Sequence, residues 1–211
     1  DPVIIRHYSC GLDKDGIMDD FLLYLELGLN HVLDFQGYDH ILFLLALLVV
    51  FSFKQLRQVI YLISLFTLGH TLTLALAAYG VLRLDIPLVE WLIPITIAIS
   101  CVTNILRASR PIAPNKLNIN LFYALVFGLI HGLGFSNYFR MIIGKTDAKF
   151  LPLIEFALGI ELAQIIIVLV FLSLWALLTN LTRINRRDWI LVISSIILGI
   201  VLPMILDRWP V

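Results

Sequence analysis

Six long apolar runs, at residues 38–53, 59–80, 91–106, 119–135, 151–178 and 189–206, leave this chain few possible folds. A helix needs about 20 apolar residues to cross the roughly 30 Å of bilayer hydrocarbon. In that setting each segment must satisfy its own backbone polar groups, which helices do. A soluble core built from 211 residues has no room to bury six such runs, and with 60% hydrophobic and 14% charged residues there is too little polar surface to cover them. An outer-membrane barrel would alternate in-facing and out-facing residues over about ten positions, and these runs do not. The expected fold is therefore all-α, a polytopic transmembrane helical bundle with six spanning helices.

Ahead of the first run lies FLLYLELGLNHVLDF, residues 21–35, which carries Glu26, Asn30, His31 and Asp34. It reaches about 22 Å as a helix, short of a full crossing, and is expected to be a short amphipathic helix, interfacial or half-inserted. If it spans, the helices number seven. Residues 1–20 form a polar, acidic tail with no secretory-signal pattern, and 21–211 form one transmembrane helical domain. The chain starts without Met, so the tail is either a processed end or foreign sequence ahead of Met18.

The connections orient the bundle. Loops 54–58, 107–118 and 179–188 hold eight basic residues and one acid, whereas 81–90 holds one base and two acids. The excess of basic residues puts the first three loops in the cytoplasm, and the N-terminus outside if 21–35 does not span. A formal net charge of zero points to no nucleic-acid partner. Cys10 in the tail and Cys101 inside a span are not expected to pair. Pro94 and Pro203 lie inside expected helices, while Pro152 suits a first helical turn.

Polar residues at membrane depth are costly and mark functional sites. His40 follows Asp39 at the mouth of the first run. His70 and His131 lie about 16 and 18 Å above the expected cytoplasmic ends of their helices, and Glu161 about 15 Å below the outer face. Imidazoles and a carboxylate meeting at one depth suit a divalent transition metal; a proton relay is the alternative chemistry. The candidate metal ligands are thus Asp39, His40, His70, His131 and Glu161. His31 is a candidate entrance residue, and Thr71, Glu155 and Gln164 are candidate supporting or nearby groups. Gly69, Gly128, Gly132 and Gly134 flank His70 and His131, and glycines of this kind let helix backbones approach closely.

In order, GYDHILFLLALL, FTLGHTLTLA, FGLIHGLGF and FALGIELAQ resemble the HupE/UreJ family of bacterial membrane proteins over residues 31–164. The resemblance implies a permease for nickel or cobalt in the bacterial inner membrane, linked to hydrogenase and urease maturation systems. It also implies metal handling by Asp39, His40, His70, His131 and Glu161. The interval from His31 to Asp39 is longer than the family's usual spacing, which sets His31 apart from the family histidine.

Two functions remain open on these residues. One is a permease that admits a divalent ion, nickel first with cobalt or zinc as alternatives, along a sequential path. No GxxxxGK[ST] loop is present to drive transport by nucleotide hydrolysis. The other is an intramembrane zinc-dependent hydrolase acting on a lipid or membrane peptide, with Glu155 or Asp39 as general base. No helical H-E-x-x-H pair supports it.

Overall fold

A computed structural model describes residues 14–34, 37–82, 85–109, 117–143, 149–182 and 184–210, with backbone alone for 14–19 and 117–119. Among these residues there are seven α-helices and no strand: α1 (Lys14–Leu33), α2 (Asp39–Leu48), α3 (Leu56–Ala78), α4 (Ile86–Arg107), α5 (Leu117–Ile143), α6 (Phe150–Leu181) and α7 (Arg186–Asp207). Helices α3 to α7 are long and apolar enough to cross a membrane. Their outer faces are apolar as well. Leu68, Leu106, Val170 and Leu206 are all at least 60% exposed, as expected for a surface solvated by lipid.

Two expectations change. The first apolar run does not form one spanning helix: α2 has ten residues and ends at Leu48, giving about 15 Å of helix. The structure makes an early helix end tolerable by burying α2 inside the bundle. Carbonyls in and just past its final turn lack helical partners, and side chains of other helices take up two of them. Asn104 Nδ2 donates to Ala46 O at 2.7 Å, and Arg186 Nη2 donates to Val50 O at 3.0 Å.

The second change concerns the N-terminal segment. Helix α1 begins at Lys14, inside the expected tail, and runs for 20 residues. It crosses α6 at Gly28 and Gly159. A Cβ on Gly28 would strike the Phe156 carbonyl, and one on Gly159 would strike that of Leu25, so the backbones touch and the helices run parallel. This segment is packed along a core helix rather than lying apart at an interface.

The glycines of α3 and α5 act in the same way. Gly128 abuts Phe66, Gly132 abuts the His70 carbonyl, and Gly69 abuts Leu125, which clamps α3 and α5 together in parallel. Helices α4 and α7 are antiparallel, tied where Trp91 Nε1 donates to Ile205 O at 3.1 Å. Both helices continue through their internal prolines, Pro94 and Pro203, and Pro152 falls in the first turn of α6. Buried Cys101 is free, whereas Cys10 and His7 lie outside the described residues.

Candidate metal centre

Four helices bring four imidazoles together. The α1–α6 crossing places His31, the first turn of α2 places His40, and the α3–α5 clamp places His70 and His131. Ring centroids lie 4.5 Å apart for His31 and His40, 5.6 Å for His31 and His70, 5.8 Å for His40 and His70, and 5.3 Å for His40 and His131. One ring nitrogen from each of His31, His40 and His70 lies within 4.8 Å of the others. Small ring rotations would bring such nitrogens to a shared ion at a bond length of about 2.0–2.1 Å.

The hydrogen bonding leaves the cluster chemically open. His131 Nδ1 lies 2.8 Å from Phe127 O, so its N–H donates there and Nε2 carries the lone pair. That Nε2 is buried without a partner, as are Nε2 of His31 and His40 and both ring nitrogens of His70. Buried polar atoms are normally satisfied, and unsatisfied ones cost free energy. One nitrogen from each of the four rings can offer its lone pair to a cation, and neutral imidazole is a ligand that suits transition metals; the second nitrogen of His70 is the N–H of the neutral ring.

Above the cluster is a cavity of about 970 Å³. Among the described residues, His31, His40 and His131 line it, together with Asp34, Asp39, Glu90 and one cation, Arg208. Carboxylates at the mouth of a cavity attract cations. Below the cluster, aromatic rings close the way. Phe43 stacks on Phe66 at 4.8 Å and meets Phe127 edge-on at 5.7 Å, while Phe43 and Phe66 each lie 5.2 Å from His131. Beyond Phe43 and Phe127 is a second cavity, about 90 Å³, with Ser100, Thr103, Asn104 and Asn120 on its walls.

The other candidate residues sit elsewhere. Glu161 accepts a hydrogen bond from Ser64 Oγ in the groove between α3 and α6 and takes no part in the cluster. Gln164 accepts from Thr67 Oγ1 at 3.0 Å, so it braces α3 against α6 and is not bonded to an imidazole. The Thr71 hydroxyl is buried and unpartnered, and Glu155 is buried in α6 without lining the cavity. Asp39 lines the cavity, but Arg208 Nη1 holds its Oδ2 at 3.0 Å.

His31, set aside as an entrance residue on spacing, belongs to the cluster itself. Gly28, three residues earlier on α1, is the sequence feature that could have signalled a close helix crossing there. Arg208 went unnoticed, because 169 positions separate it from Asp39 and no local pattern joins them.

Buried imidazoles beneath an acidic vestibule, inside a bundle of membrane-length apolar helices, define a polytopic membrane protein with the donor set of a transition-metal site. The model of the family described as HupE / UreJ protein matches residues 9–208, and the chain belongs to that family. The family is one of bacterial membrane proteins associated with nickel or cobalt transport or accessory function, in urease and hydrogenase systems. No curated protein and no solved structure gives a match.

Proposed function

We propose that this chain is an inner-membrane permease for a divalent transition-metal ion, nickel first and cobalt or zinc next, with His31, His40, His70 and His131 as its binding station. One observation carries the reading: buried nitrogens without partners, from four helices, at the floor of a cavity lined with acids. The acids raise the local concentration of cations, and the imidazoles replace lost hydration with ligand bonds. Permeation requires an ion to leave as well as to enter, so a site of loosely gathered imidazoles serves transport better than a rigid cage.

Release would follow the line of cavities. Movement of Phe43 and its aromatic neighbours would expose the ion to hydroxyls and amides of the small cavity, which are poorer ligands for it. The basic residues at that end, Arg107 and Arg186 among them, support reading it as cytoplasmic, with the vestibule facing out. Hydrolysis fits the residues less well: Glu155 does not line the cavity, and the Asp39 carboxylate is occupied by Arg208.

Proteoliposomes holding the purified chain test this. Saturable ⁶³Ni²⁺ uptake that cobalt inhibits and His70→Ala abolishes is the expected result. Uptake no greater than in empty vesicles, at verified protein incorporation, overturns it.

A further inference from the structure

Arg208 has no evident place in a cation path, yet it sits at the mouth of one. It follows the last residue of α7, where its backbone N–H donates to Met204 O at 3.1 Å. Its guanidinium reaches into the vestibule and holds Asp39 Oδ2 at 3.0 Å, with side-chain exposures of 32% for Arg208 and 13% for Asp39. The other carboxylate oxygen, Asp39 Oδ1, is buried and unpartnered. Asp39 precedes His40 directly, so this free oxygen belongs to the residue next to the central imidazole of the cluster. The same Nη1 also approaches the backbone O of Glu90, at 3.5 Å, and Glu90 lines the vestibule.

We infer that Arg208 is a tethered counter-ion that an entering metal displaces: the ion takes Asp39 from Arg208, and Arg208 moves to the Glu90 carboxylate. The inference rests on the permease reading. It deepens that reading by giving the vestibule a means of setting affinity. With no metal present, Arg208 neutralises Asp39 and keeps a half-buried carboxylate paired. As a dication approaches, repulsion of the guanidinium and attraction of the carboxylate act in the same direction. Glu90 then receives the guanidinium that Asp39 gives up, so Arg208 keeps a carboxylate partner. Metal affinity is held down by the pair that must break, which favours release.

A merely structural Arg208 would lose affinity when removed; a competitor would gain it. Nickel chloride titrated calorimetrically into the purified full chain in detergent separates the two. Arg208→Gln should bind about tenfold tighter than wild type, which corresponds to one broken pair worth about 1.4 kcal/mol. Arg208→Lys, which keeps the charge, should stay within about threefold of wild type. Exposed Glu90→Gln should bind several-fold more weakly, because the displaced guanidinium has lost its destination, and this arm stands even if Arg208→Gln fails to fold. Nickel binding by wild type with Arg208→Gln no tighter, or with Glu90→Gln unchanged, overturns this inference alone. A wild-type chain that binds no nickel overturns the permease reading beneath it.

Discussion

Gly28 of α1 and Gly159 of α6 meet backbone to backbone, each in the space that a methyl group on the other helix's crossing residue would need. His31 lies one turn beyond that crossing. Gly28→Leu therefore has two expected effects: a loss of stability of about 1–3 kcal/mol from overpacking, and weaker nickel binding as His31 is carried away from His40. Thermal unfolding in detergent and nickel titration of the same preparation check both. Unchanged melting with unchanged affinity would mean that the contact does not position His31.

His40 is the hub of the cluster, with His31, His70 and His131 all within 5.8 Å of its ring centroid. Loss of a group that only supports a metal ligand commonly costs about 10–100-fold in affinity. His40→Ala, which removes a ligand, should cost more than about 100-fold. Equilibrium dialysis against nickel measures this, and an affinity for His40→Ala within about tenfold of wild type would rule out His40 as a ligand.

Glu161 provides the contrast. Its carboxylate is bonded to Ser64 in the α3–α6 groove, away from the histidines. Glu161→Gln should keep nickel affinity within about twofold of wild type, as distant sites usually act independently. A loss comparable to that of His40→Ala would show that Glu161 reaches the ion during transport.

The all-helical membrane fold was legible because six apolar runs admit little else, and the glycines beside His70 and His131 announced a close contact correctly. Depth along separate helices was a weaker guide. It placed His70, His131 and Glu161 level, but level residues meet only if they also share a face, and one sequence does not show how each helix is rotated. The short α2 escaped for a related reason. Apolar residues continue past Leu48, yet the helix stops there, and Asn104 and Arg186, far along the chain, bond Ala46 O in its last turn and Val50 O just past it.

Phe43 separates the vestibule side from the small inner cavity, where it stacks on Phe66. Phe43→Ala should join the two. In a chain with Cys10 and Cys101 replaced by alanine, a Ser100→Cys reporter should then react with a membrane-impermeant thiol reagent added on the Asp34 side. The same reporter behind intact Phe43 should stay protected. Equal reactivity in both would place the barrier elsewhere.

Helix α2 hangs between the two ends of a single helix. Arg208, just past one end of α7, grips Asp39 at the start of α2, and Arg186, at the other end, grips Val50 just past its close. A seesaw motion of α7 therefore pulls on both hinges of the same short beam. Widening at the rim and loosening at the base would then be one mechanical event, and substitutions along α7 that touch no histidine would be felt at His40 through that linkage.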